Sequence, residues 1–145
     1  PYEQIATIVQ ANLADIGIDV TLEPMETATL KSTCVDGKQE LFLWRWNEDS
    51  KVDFVYRDLF YTGSGSNYHH YSDSKADEMI DIVATEKDQD KRLETAKELQ
   101  TYLVDACPQV PLYIANLVVA YNKNLQGQYF YGGGNHDWRH AYIAE

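Results

Sequence analysis

The chain has 145 residues, 44 % of them hydrophobic and 24 % charged, the size and composition of one ordinary globular domain with a sizeable core. Its 23 Asp and Glu against 12 Lys and Arg give a net charge of −11, a field that repels nucleic-acid backbones and anionic membrane surfaces. No Lys/Arg cluster offsets that field, and no apolar run approaches the roughly 20 residues needed to span a bilayer.

From Tyr2 to about Asp15, the residues Ile5, Ile8, Val9, Leu13 and Ile16 recur at helical spacing, and Gly17 supplies the C-terminal cap. Residues 18–22 alternate as a strand that Pro24 stops, and a short helix is expected over 26–32, closed by Asp36-Gly37. Leu41-Phe42-Leu43-Trp44-Arg45-Trp46 is apolar on both faces, as a strand with both sheet faces covered would be. A helix over 52–60 and a Gly/Ser loop over 61–67 follow. Two more helices come next. One is capped near Ser72–Ser74 and carries Ala76, Met79, Ile80, Ile82 and Val83; the other starts at Asp88 or Asp90 and buries Leu93, Ala96, Leu99, Leu103 and Ala106. Cys107-Pro108 ends it. Residues 110–114 and 117–121 are expected as strands, Gly132-Gly133-Gly134 as a turn, and Ala141-Tyr142-Ile143 as a last strand. Helices and strands mix throughout, so the expected class is α/β in a single domain over 1–145. The chain opens at Pro1-Tyr2-Glu3 and runs straight into a helix, which reads as a start inside a longer protein.

Few residues offer catalytic or metal chemistry. His136-Asp137-Trp138-Arg139-His140 imitates a zinc-protease helix, but three glycines precede it and no third ligand follows, so a polar loop is the better reading. His69-His70 are adjacent and point apart on an extended chain, which favours a surface pair over a metal site. Ser64 and Ser66 lack a GxSxG elbow, and the triple glycine lacks the Lys-Ser/Thr of a phosphate loop. Cys34 and Cys107 fit no motif; two buried free thiols and a disulfide both remain open. No cofactor and no metal is implied.

The 11 tyrosines, several of them at Tyr56, Tyr61, Tyr68 and Tyr71, suit either half-buried packing or a partly wet binding surface. Trp44 and Trp46 share one strand face; Trp44 reads as core, and Trp46, nearer the exit, as a cleft wall. Glu48 reads as a solvated loop residue, Asp53 as a helix cap, and Asp49 as a carboxylate able to meet a ligand ammonium.

Several blocks in order resemble the C-terminal lobe of the extracytoplasmic solute-binding proteins of oligopeptide and dipeptide ABC importers (family 5). They are Ile5-Ala6 with Leu13-Ala14-Asp15-Ile16-Gly17-Ile18-Asp19-Val20, then Leu41 through Trp44-Arg45-Trp46, then Tyr71-Ser72-Asp73-Ser74 with Asp77-Glu78-Met79-Ile80. Asp88-Gln89-Asp90-Lys91-Arg92, Cys107-Pro108-Gln109-Val110-Pro111-Leu112-Tyr113, Ala120-Tyr121-Asn122-Lys123 and Gly127 continue the series. The resemblance implies part of one lobe of a two-lobed, periplasmic-binding-protein-like type II fold without catalytic activity. It implies a peptide or small-solute ligand, ABC permease subunits as partners, and an extracytoplasmic location, periplasmic or lipid-anchored. Trp46 would lie at the ligand, the backbone of Arg45 and Asn47 would pair with an extended peptide, and Asp49 would hold its α-ammonium. The family motif continues with an aromatic and an acid-Pro pair, whereas Ser50-Lys51-Val52-Asp53 follows here. Members altered there bind other solutes, including glutathione, sugars and metal chelates. A hydrolase using Asp49 with His69, His70 or His136 is the rival from another class.

Overall fold

The computed structural model describes residues 2–46, 52–116, 118–130 and 135–144. Among the described residues five helices come first: α1 (Tyr2–Ala14), α2 (Thr27–Val35), α3 (Val52–Phe60), α4 (Ser74–Thr85) and α5 (Gln89–Ala106). Four two-residue strands follow among them: β1 (Leu125–Gln126), β2 (Tyr129–Phe130), β3 (His136–Asp137) and β4 (Tyr142–Ile143). Mixed helices and small sheets of this kind are consistent with the α/β class.

Helix α1 ends as the sequence predicts. Gly17 adopts φ +82°, its amide bonds the Ala14 carbonyl at 3.0 Å, and the Ile18 amide reaches back to Leu13 at 2.9 Å. This paired arrangement satisfies carbonyls that a helix end otherwise leaves bare. The Gln10 amide group donates to the Val20 carbonyl at 2.7 Å and holds the outgoing segment against the helix. Helix α2 runs a turn further than the expected 26–32 and buries Cys34 completely.

The core lies among α3, α4 and α5. Phe60, Ala76, Ile80, Val83, Leu99 and Leu103 form one buried cluster, flanked by Tyr56, Leu59, Tyr61, Tyr71, Met79, Ala96 and Tyr102. Helices α4 and α5 begin at carboxylate caps: Asp73 accepts from the Ala76 amide, and Asp88 from those of Asp90 and Lys91. Arg57 of α3 pairs with Asp81 of α4 while its guanidinium lies 4.4 Å over the Tyr61 ring. Both charges are substantially exposed, so the pair orients the helices more than it stabilises them.

The tail forms two nested antiparallel pairs, β1 with β4 (Leu125 opposite Ile143) and β2 with β3 (Tyr129 opposite Asp137). Gly127 between them has φ +73°, and a Cβ there would overlap the His140 carbonyl oxygen, so the position requires glycine.

The strands expected over 18–22, 41–46, 110–114 and 117–121 are not found: none of their described residues joins a ladder, and Leu117 lies outside the described residues. Alternation and β-prone side chains favour an extended backbone, but a strand exists only once a neighbour pairs with it. Nor is the 41–46 segment covered on both faces, since Leu41 is 67 % exposed. The last expected strand, 141–143, is present as β4.

Candidate functional site

The candidate site begins at residues 41–46, which precede α3 in the chain. Trp46 is half-buried, and its indole nitrogen is buried with no hydrogen-bond partner among the described residues. A buried donor left unpaired costs about 1–3 kcal/mol, so such a group marks a place where an acceptor is needed. Arg45 is exposed. Asn47 and Asp49, expected as the peptide-pairing backbone and the ammonium clamp, lie outside the described residues.

The segment is supported from behind by the loop between α3 and α4. Trp44 meets Tyr68 edge-on, with ring centroids 5.3 Å apart, and Tyr68 is buried. Asn67 organises this loop. It is 5 % exposed; its amide donates to the carbonyls of Tyr61 (3.1 Å) and Tyr71 (2.7 Å) while its oxygen accepts from the Tyr71 amide (3.1 Å). The Thr62 amide bonds Asp77, the Tyr61 hydroxyl bonds Asp81, and Ser64 donates to the Asp58 carbonyl. Each anchor ties a short loop to rigid helix.

His69 and His70 meet different partners, but on a turn rather than on an extended chain. They are not a surface pair, however. His70, exposed and at φ +53°, donates from Nε2 to the Cys34 carbonyl at 2.8 Å, since a carbonyl can only accept. His69 turns inward against Phe60 (centroids 5.6 Å) and Tyr71 (6.5 Å), with both ring nitrogens buried and unpartnered among the described residues. Burial first, and the neighbouring His70 charge second, hold its pKa below the ordinary histidine value. The Tyr71 hydroxyl is likewise buried without a described partner, and burial raises its pKa. Nothing in the sequence signals these inward groups; they follow from which side the folded loop turns.

The other candidates resolve simply. His136 sits in β3 rather than on a helix, and its segment is ordered by Arg139 gripping Asp137 through three contacts of 2.6–3.1 Å. Among the described residues no group of three or more His, Cys, Asp or Glu could hold a metal ion. Both cysteines are free thiols; Cys34 is buried, which raises its pKa, and Cys107 is exposed at the αL C-cap of α5. Of the two readings left open, free thiols are found rather than a disulfide, and only Cys34 is buried. Tyr56, Tyr61, Tyr68 and Tyr71 all pack into or against the helical core and its loop rather than forming a wet surface. Among the described residues no helix is long and apolar enough to cross a membrane.

Residues 1–68, which include the Trp46 segment, match the sequence model of the bacterial extracellular solute-binding proteins, family 5 middle region. The chain is similar to the family 5 solute-binding proteins, as its motifs indicate. Among curated proteins it is 25 % identical to the probable D,D-dipeptide-binding periplasmic protein DdpA of Escherichia coli (strain K12), over 89 % of this chain and 26 % of that protein. It is 26 % identical to the probable ABC transporter periplasmic-binding protein SapA of the same organism, over 94 % of this chain and 26 % of that protein. With di/tripeptide-binding protein 2 of Pseudomonas aeruginosa it shares 27 % identity over 86 % of this chain and 24 % of that protein. The chain thus spans about a quarter of the length of the curated relatives it matches. These relatives are named as binding proteins rather than enzymes, which is consistent with a chain that catalyses no reaction.

Proposed function

We propose that residues 1–145 are one domain, part of the C-terminal lobe of a solute-binding protein that captures di- or oligopeptides between two lobes and delivers them to an ABC permease. It acts outside the cytoplasm, in the periplasm or held at the cell surface by a lipid anchor. Trp46 forms a wall of the cleft, the backbone of Arg45 and Asn47 pairs with the extended peptide, and Asp49 takes the α-ammonium. The observation that carries this reading is the family match across the Trp46 segment, and the unpaired, buried indole nitrogen of Trp46 supports it. Backbone pairing gives affinity while leaving ligand side chains free to vary, and an ammonium–carboxylate pair in a closed cleft fixes register.

Calorimetry on the full-length protein tests this. Asp49→Ala is expected to weaken a free-amine peptide far more than its N-acetylated form; equal losses for both would overturn the role of Asp49. A solute other than a peptide is the second reading, favoured by Ser50-Lys51-Val52-Asp53 where the family has an aromatic and an acid-Pro pair. Binding of a sugar, glutathione or a metal chelate, with no peptide bound, would decide for it.

A further inference from the structure

His69 occupies an unusual position for a titratable group. Its ring lies in an aromatic box between Phe60 of α3 and Tyr71 of its own loop, and neither nitrogen has a described partner. Tyr68, the residue before it, is the one that packs on Trp44, two positions from the Trp46 wall. The loop that carries both is therefore one mechanical element: one side holds His69, and buried Tyr68 on the other braces the candidate site.

We infer that His69 makes this wall acid-sensitive, so that charging its ring drives the 61–71 loop out of its seat and weakens solute binding at Trp46. The inference rests on the reading of residues 41–46 as a cleft wall and adds its regulation.

The neutral imidazole is tolerated in the box because it carries no net charge, although its N–H goes unpaired. The cation would bury a full charge against two rings with no acceptor among the described residues, which is far more costly than exposing it to water. Among the described residues the surroundings offer no compensation. Phe60 from α3 is apolar, Tyr71 is neutral with its hydroxyl buried, and the adjacent His70 opposes a second positive charge. The carboxylates of α4 nearest the loop are committed elsewhere. Asp73 caps α4 and accepts the Tyr102 hydroxyl, Asp77 accepts the Thr62 amide, and Asp81 takes Arg57 and Tyr61. On the α2 side the contact is a Cys34 carbonyl, and it serves His70. His70 donates that bond from Nε2, so the Cys34 carbonyl is not turned to His69.

The direction follows from linkage. Unfolded histidine titrates near 6.5, and folded His69 titrates lower because burial disfavours the cation. The stability it contributes is fully present above about 6.5 and is lost as pH falls through the folded value. Leaving the box withdraws Tyr68 from Trp44, and the wall loses its backing.

The test uses the full-length protein, with trialanine as probe, at pH 7.5 and 5.5. Wild type is expected to lose thermal midpoint, shift its tryptophan emission and bind trialanine roughly tenfold more weakly in acid. His69→Phe, which preserves the aromatic box without a titratable group, is expected to remove most of all three responses, while His70→Gln keeps them. His69→Gln carries the comparison if the Phe variant fails to fold. An acid response undiminished in the His69 variants, or none in wild type, overturns the inference. Failure of trialanine to bind at pH 7.5 would instead count against the peptide reading, while midpoint and emission would still judge His69.

Discussion

Asn67 offers the sharpest test of how the loop behind the candidate site is held. Replacing it by alanine removes two donor bonds, to the carbonyls of Tyr61 and Tyr71, and one acceptor bond, from the Tyr71 amide. The residue is 5 % exposed, so water cannot replace those partners without the loop opening. At about 1 kcal/mol net for each bond, Asn67→Ala is expected to cost about 2–4 kcal/mol. Whole-domain stabilities are about 5–15 kcal/mol, so this is a large fraction for one loop residue. Urea unfolding of the variant beside wild type measures it, with tryptophan emission reporting whether the Trp44–Tyr68 contact loosens. Asn67→Asp sharpens the comparison. It keeps an acceptor for the Tyr71 amide but faces two carbonyl oxygens with a carboxylate, so at neutral pH it is expected to be at least as damaging as alanine. A loss below about 0.5 kcal/mol for Asn67→Ala would refute the view that this side chain staples the loop.

Ile80 is fully buried in the α3–α4–α5 cluster, and Ile80→Ala is expected to cost about 2–5 kcal/mol in chemical denaturation; an effect below about 1 kcal/mol would mean that the cluster is not the core. Asp73 is held below the usual carboxylate range first by the Ala76 amide and then by the Tyr102 hydroxyl. Its stabilising contribution is therefore present above about pH 4 and lost as pH falls through the folded value, so the acid-unfolding limb of Asp73→Asn is expected to be flatter than that of wild type.

The helices were legible because their signals are local. Asp73 and Asp88 sit where a cap must sit, Ile80, Val83, Leu99 and Leu103 recur at helical spacing, and Gly17 stands just past the end of α1. Helix α2 runs past its expected end because Ser32-Thr33-Cys34-Val35 shows no apolar stripe to read. The strands failed for a different reason. Residues 18–22, 41–46 and 110–114 have the composition of strands, but whether a ladder forms depends on chain far away in sequence. The strands that do form are two residues long, too short to leave a period, and Gly127 is demanded by His140, thirteen positions on. At the candidate site, Trp46 could be chosen from its place at the end of an apolar run. The inward turn of His69 and the bracing of Trp44 by Tyr68 could not, since adjacent loop residues differ only in which side the fold turns to the core.

The nested tail has a kinetic consequence. β2 and β3 close a short loop, whereas β1 and β4 must close one that encloses the inner pair. Loop-closure entropy rises with the number of free residues, so the inner pair shortens the search left to the outer one. The tail thus zips from the inside outward, while α3, α4 and α5, neighbours in sequence, assemble from contacts of low order. A cut between β2 and β3 is therefore expected to slow the pairing of β1 with β4 more than it weakens any single contact.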